Sequence, residues 1–400
     1  TGLQAIAGEN GDGKDGGGKD GDGKDGAGAG LRDGRMALRR RHPALDRGLR
    51  AAEAPADPEP TPYVGIVPVA DARRLALDPR SPTGPRTSAS ALETLGACPL
   101  RYFYSRVLKV RKPDDPEFDL ERWLPAAERG GLLHDVFQDA VDAAVADALR
   151  FDSSAFQDRA LELLEDRARR SRIDLPPQSE AVFRAEMASL RADVRSFCTQ
   201  LATEGLTPDA VIATEMELGG ATPVAVELPG GGAIRLAGRA DRVDRTADGT
   251  RVVDYKTGST WGHGAKEGTY NGGRRLQHVL YARALEAQRP DLEPVAGVEY
   301  HFPTVRGENA VHAYDAARLA DGLELVRELA DLAAAGRFPA TDDPSDCRFC
   351  DYAAVCRFGR ARGEKGEESA PRVEWTRGRM ADGAEPVQPL RRVRTHGADR

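Results

Sequence analysis

The chain has 400 residues, 40% of them hydrophobic, which is enough for one large domain or two with a substantial core. Its formal net charge of −7 excludes a protein that grips nucleic acid by overall basicity. It does not exclude a local basic groove, because site carboxylates and acidic linkers enter the same sum.

The chain opens on Thr1 rather than Met and reads as a piece of something longer. No apolar run of about 18 residues and no basic-then-apolar leader is legible, so no membrane partner and a cytoplasmic location are expected. Residues 8–30, "GENGDGKDGGGKDGDGKDGAGAG", are low-complexity Gly/Asp/Lys, too poor in apolar groups to offset the entropy of ordering. The stretch matches the phosphate-loop pattern G-x-x-x-x-G-K. However, Asp15 follows Lys14 where Ser or Thr would hold Mg²⁺, and no apolar strand precedes it, so it reads as linker. "MALRRRHPALDRGLRAAEA" is basic with helical potential, and the Pro-rich "PADPEPTPYVGIVP" follows. Residues 1–83 are therefore expected to be a largely disordered linker, with the folded domain at 84–360.

That domain starts with "SPTGPRTSASALETLGACPLRYFYSRVLKV", where Ser88 or Ser90 can cap a helix of apolar residues at helical spacing. Helical patterns follow at about 126–149, 154–173 and 179–205. A β-rich block over about 210–256 contains "AVIATEMEL", "PVAVEL", "AIRLAGRADRVDR" and "RVVDYK". After it come a helix over 274–288, a strand "VAGVEYHF", a helix over 315–335 and a Cys-rich segment at 347–356. Residues 361–400, rich in Arg, Gly, Glu and Pro, are expected to be a disordered tail. This order predicts an α/β fold, a central mixed β-sheet flanked by helices.

"GRADRVDRTADGTRVVDYK" holds a hairpin signal, Asp248-Gly249, between two strand-like runs. With those two residues as the turn, Ala247 pairs with Thr250, Val243 with Asp254 and Asp241 with Lys256. Asp241, Asp254 and Lys256 then share one face, provided no one-residue bulge intervenes. Such charges are costly to bury unless paired or holding a cation. An exposed face with ordinary salt bridges is one reading; a Mg²⁺ site beside a phosphate is the other, since hard oxygen ligands suit Mg²⁺. In the second, Asp241 and Asp254 ligate the ion, which acidifies a water, and Lys256 orients that water or stabilises developing charge.

"GRADRVD" followed by "VVDYKTG" resembles motifs II and III of the PD-(D/E)XK nuclease superfamily, in its RecB-like branch. "RGGLLHDVF" resembles the G-x-x-H helix that precedes the sheet in that family, with His134 as its histidine. "ATEMELG" resembles its acidic strand, with Glu215 as a further acid and Leu218 in place of the usual aromatic; Glu217, on the same face, is a rival. "LQHVLYARAL" resembles its Q-x-x-x-Y helix, with Gln277 and Tyr281 one turn apart. Five marks in family order span about 150 residues. The resemblance implies a restriction-endonuclease-like core and a Mg²⁺- or Mn²⁺-dependent DNA nuclease cutting phosphodiesters by in-line attack. Asp241, Asp254, Glu215 and His134 would stand at the metal, with Gln277 and Tyr281 beside the scissile DNA strand.

Five cysteines, three of them within 347–356, do not suit a secreted disulfide framework and point to metal ligation in a reducing compartment. By spacing alone, Cys98, Cys347, Cys350 and Cys356 suit a tetrahedral Zn²⁺ or a [4Fe–4S] cluster equally. "SASALETLGACPLRYFY" with "CRFCDYAAVC" is similar to the iron–sulfur staple of RecB-like nucleases, above all the C-terminal domain of AddB-type helicase–nuclease subunits. That resemblance implies a cluster, with Zn²⁺ the second choice, joining the N- and C-terminal parts of the domain. Cys198 is left over as a plain buried thiol. The family setting implies an exonuclease acting in double-strand-break repair, partnered by an ATP-driven helicase subunit or an upstream helicase-like region. The chain is either a C-terminal piece of such a protein or a degenerate relative. The rival function is a catalytically idle DNA-binding or scaffold module of the same complex.

Overall fold

The computed structural model describes residues 36–37, 39–57, 59–112, 119–263, 268–356, 361–362 and 368–396. The Gly/Asp/Lys repeat at 8–30 and its phosphate-loop match lie outside them. Residues 1–53 and 54–400 are two separate units. The first contains a helix, Pro43–Glu53, with no buried residue.

The second unit is built on a five-stranded sheet. After a short helix at Asp71–Leu77, its main helices and strands run in chain order from α1 (Ala89–Ala97), whose first turn is capped by Ser88 Oγ accepting from the Ala91 amide at 3.2 Å. Three long helices follow, α2 (Ala126–Asp147), α3 (Ser154–Asp174) and α4 (Glu180–Glu204). Strands β1 (Val211–Leu218), β2 (Val224–Glu227), β3 (Ala233–Leu236), β4 (Gly238–Thr246) and β5 (Gly249–Tyr255) come next. Then follow α5 (Gln277–Gln288), β6 (Val295–Phe302), β7 (Ala310–Asp315) and α6 (Gly322–Ala334), and finally α7 (Pro371–Ala381) and α8 (Gln388–Thr395).

The sheet order is β1-β4-β5-β6-β7, with β5 and β6 parallel and the other pairs antiparallel; β2 and β3 form a separate ribbon. Period-two alternation along β5 supplies two cores. Val252 packs with α1, α5, α6 and the β2–β3 ribbon, whereas Val253 and Tyr255 pack with α2, α3 and α4. The mixed sheet flanked by helices is the expected architecture.

Several expectations need correction. The hairpin turn is Ala247–Asp248, so Thr246 pairs with Gly249 and Arg242 with Val253. Gly249 lies just past the turn at φ +134, and a Cβ there would come within 2.3 Å of the Pro294 carbonyl. The glycine answers that close approach rather than the turn. The ladder is displaced by two residues, which preserves faces, so Asp241 and Asp254 still share one. The run "AIRLAGRADRVDR" is two strands broken at Ala237, whose amide bonds Thr87 O at 2.9 Å. At Gly238, the Tyr281 ring sits 2.8 Å from where a Cβ would be. β7 went unexpected because it is short and lies at the sheet edge. The helix expected over 315–335 breaks into Ala316–Leu319 and α6.

The tail expected to be disordered carries α7 and α8. Leu390 and Val393 pack into the main core, and Trp375 and Val387 join Ala54 and Val64 in a smaller cluster. The Pro-rich segment within the expected linker 1–83 is thus packed from Ala54 on, with Val64 only 1% exposed. A few apolar residues at the right spacing order segments whose average composition is polar. No described helix is long and apolar enough to cross a membrane.

Candidate metal centre

The N-terminal half of β4 and the C-terminal end of β5, which lie side by side in the antiparallel pair, border a cleft of about 660 Å³. Helix α2 borders it too, because Leu132, Leu133, Val136, Phe137 and Ala140 turn one face into the helical core, which leaves His134 at the rim. His134 Nδ1 lies 3.4 Å from Asp241 Oδ2. The same Asp241 oxygen accepts the Tyr255 amide at 2.7 Å, which fixes the carboxylate across the β4–β5 pair. Glu215 completes the group: donor atoms of His134, Glu215 and Asp241 all lie within 4.8 Å of one another. Glu215 holds φ at +47, a left-handed conformation that costs a non-glycine residue on the order of 1–3 kcal/mol and is concentrated at functional sites. Glu217, the rival acid, is exposed and lies outside the cleft.

The electrostatics are compatible with a cation. Burial pushes the Asp241 carboxyl well above the usual carboxylate range, and Asp254 nearby pushes it the same way. Burial likewise raises Glu215, against the pull of Arg239, whose Nε is 2.5 Å from Glu215 Oε2. Burial lowers His134, so its imidazole keeps a lone pair for a ligand bond. Two acids held up by desolvation and a neutral imidazole fit a hard divalent ion, with the carboxylates supplying oxygen and the ring nitrogen.

Beside this set, Lys256 Nζ contacts Asp254 Oδ2 at 2.6 Å and donates to Gln277 Oε1 at 2.8 Å. Gln277 Nε2 in turn donates to Asp254 Oδ1. Asp254 therefore shares the cleft with the other acids while its carboxylate faces Lys256 and Gln277, outside the three-donor set. Burial pulls the Lys256 ammonium down, but Asp254, Glu93 and Asp241 more than offset it, so its pKa stands above the ordinary value. Tyr281, one turn after Gln277, is buried at the edge of the cleft against Gly238.

A residue that pattern reading missed holds this arrangement. Glu93 Oε1 accepts the Leu276 and Gln277 amides at 2.8 and 2.9 Å, capping α5 from a different helix. Burial raises its carboxyl. The signal in the sequence is a lone charged residue among Ala91, Leu92 and Leu95 in a helix that otherwise carries none.

The sequence profile of the PD-(D/E)XK nuclease superfamily matches residues 86–357, more than half of the chain. The chain belongs to the PD-(D/E)XK nuclease superfamily. Within that superfamily, a relative 30% identical over 211 residues is the AddB subunit of the ATP-dependent helicase/deoxyribonuclease from Symbiobacterium thermophilum. The match covers 50% of this chain and 17% of that protein. The chain is thus a distant homologue of AddB, whose length it spans only in small part.

In this superfamily member, the four cysteines singled out by spacing line one cavity, together with Tyr104, Thr341 and Asp346. All are free thiols, and burial pushes Cys98 and Cys347 up to about 12. Among the described residues, no three of these sulfurs form a set within 4.8 Å. Tyr352, between Cys350 and Cys356, donates to Val110 O at 2.6 Å and so ties the segment to the chain following Cys98. Cys198 is buried in the helical core, as expected.

Proposed function

We propose that this domain is a Mg²⁺- or Mn²⁺-dependent DNA nuclease that hydrolyses phosphodiesters, in the setting of an AddB-like helicase–nuclease. The observation that carries this reading is the convergence of His134, Glu215 and Asp241 within 4.8 Å, beside an Asp254–Lys256–Gln277 group in the same cleft.

A bound divalent ion would acidify a water and offset charge building on the phosphoryl oxygens. The side chains do the rest. His134, Glu215 and Asp241 would hold the ion, with Asp254 giving it one carboxylate oxygen while the other stays on Lys256. Asp254 favours the Lys256 ammonium over the pull of burial, which suits Lys256 to donate hydrogen bonds rather than to act as a base. Asp254 and Gln277 fix its Nζ, which suits it to orient the attacking water or stabilise the phosphorane-like charge at little reorganisation cost. Gln277 and Tyr281 flank the place of the scissile strand.

The four thiols fit a cofactor of their own. In a tetrahedral zinc site with Zn–S of about 2.3 Å, the sulfurs stand about 3.8 Å apart. In a four-iron cluster each thiolate binds a separate iron and the sulfurs stand wider. Four thiols lining one cavity supply a ligand set that either group could use, and the similarity of their sequence setting to the iron–sulfur staple of RecB-like nucleases favours [4Fe–4S]. An ATP-driven helicase partner is the setting that the AddB homology supports, and exonuclease action on DNA ends in double-strand-break repair is what the resemblance to RecB-like nucleases implies for it.

Digestion of linear DNA by the purified chain tests the reading. Mg²⁺-dependent loss of DNA is expected, suppressed at least on the order of 100-fold by Asp254→Ala. DNA binding without any Mg²⁺-dependent loss would leave the idle scaffold as the function.

A further inference from the structure

A second cleft, of about 410 Å³, opens from the metal cleft and shares Lys256, His263 and Gln277 with it. Its mouth carries Trp261, whose residue surface is 81% exposed. Trp261 stands on a pinned turn. The Gly262 carbonyl accepts from Arg275 Nη2 and from Asn271 Nδ2, and the His263 amide closes onto Thr260 O at 3.0 Å. An indole offered to solvent from an anchored backbone is a ready stacking surface.

The cations lining this cleft are already engaged, Arg275 by hydrogen bonds alone and only 4% exposed. Arg274 is paired with Asp346 at 2.8 Å, Arg275 donates to Tyr314 Oη and to the turn, and Glu93 is taken up by two amides. Lys256 is held by Asp254 and Gln277. Among its described residues such a cleft has no free cation for the dense phosphates of a duplex, but it offers an aromatic face and polar edges to one base. A third cleft shares Thr257 and Gly258 with the metal cleft, neither of them with the Trp261 cleft, and carries the exposed Arg306 and the exposed Arg122, the latter paired with Asp119 at 3.5 Å. Exposed Arg306 at one neighbouring cleft and an aromatic seat at the other suit a strand whose phosphates pass the arginine and whose base beyond the cut is unpaired.

We propose that Trp261 and the cleft beneath it form a subsite for a single unpaired nucleotide next to the scissile phosphate, its base stacked on the indole. The subsite rests on the nuclease reading for its position relative to the cut, and its occupant is single-stranded DNA.

The chain reports on this by itself. Of its three tryptophans, Trp123 and Trp375 are 5% and 6% exposed, so Trp261 is the one open to a ligand. Titrating the full chain, in EDTA to prevent digestion, with oligothymidylate should quench tryptophan fluorescence; a blunt hairpin duplex of equal nucleotide content should not. Trp261→Ala should abolish the quench and weaken oligothymidylate binding, measured by anisotropy of a labelled strand, between about fivefold and a hundredfold. Trp261→Phe, which keeps an aromatic face, should recover most of that binding. In Mg²⁺, Trp261→Ala should raise KM for single strands and leave kcat near that of the parent. The subsite is overturned by equal quenching from the duplex, by no quenching at saturating single strand, or by unchanged affinity in Trp261→Ala. Failure of the nuclease reading is separate: it would abolish digestion by the parent chain and leave the quench in EDTA intact.

Discussion

At the scale of single residues, the metal cleft depends on side chains set by other side chains. Lys256 is positioned by Asp254 and Gln277, and Gln277 by a helix start that Glu93 caps. Removing the Glu93 carboxylate leaves two buried amides without acceptors, a cost of about 1–3 kcal/mol. Glu93→Ala should therefore lower kcat for DNA digestion by about tenfold or more, with a modest fall in melting temperature. Glu93→Gln, which retains a carbonyl acceptor for the same amides, should restore most of kcat; equal loss in both variants would show that the charge near Lys256 matters and the cap does not. Pattern reading reached His134, Glu215, Asp241, Asp254, Lys256, Gln277 and Tyr281, all of which line one cleft. It left Glu217 as a rival to Glu215 on one strand face; of the two only Glu215 borders the cleft, from a left-handed backbone that is not local sequence information. Glu93 was out of reach for the same reason, since its partners lie more than 180 residues away.

At the scale of elements, the face of β4 and β5 opposite the cleft holds a buried ionic network. Arg242, fully buried, contacts Asp244 at 2.9 Å and Glu204 of α4 at 2.6 Å, while His301 of β6 sits between Glu204 and Glu299 at 3.1 and 2.7 Å. Burial opposes the Glu204 charge, but Arg242, His301 and Arg251 hold its pKa down from 4.5 to about 2. Burial also opposes the His301 charge, yet Glu204 and Glu299 raise it above its ordinary 6.5. The Glu204 contribution to stability is complete above about 4.5 and is lost as pH falls toward 2. The His301 contribution is complete below about 6.5 and is lost as pH rises through its raised folded value. Thermal melting against pH should thus show the network strongest between those limits. Glu204→Gln should flatten the acid limb and, by leaving Arg242 short of a partner, cost about 3–5 kcal/mol near neutrality; an unchanged acid limb would show that another group sets it. The elements themselves were largely legible, because α2, α3, α4 and β5 carry strong periodicity. The hairpin register was not, because Gly249 serves the Pro294 contact while Ala247–Asp248 makes the turn.

At the scale of the whole molecule, the order of the elements announced a mixed sheet between helical layers, but composition misjudged the ends of the domain. Residues 54–67 and 371–395 pack against it through a few apolar side chains, Val64, Trp375, Leu390 and Val393 among them. Cys98 precedes the sheet and Cys347, Cys350 and Cys356 follow it, so the proposed group, held by all four, would close a loop of roughly 250 residues and restrict the unfolded chain. Protein purified anaerobically should be brown with iron and sulfide in equal amounts, and Cys98→Ser should be colourless and melt at lower temperature; stoichiometric zinc in a colourless parent would replace the cluster. The claim on which the function rests is that His134, Glu215 and Asp241 hold a divalent ion beside Lys256. Titration with Mn²⁺ followed by electron paramagnetic resonance tests it most directly. A single bound ion in the parent chain, weakened on the order of tenfold or more by Asp241→Asn, is the predicted result, and equal Mn²⁺ binding by parent and variant would contradict it.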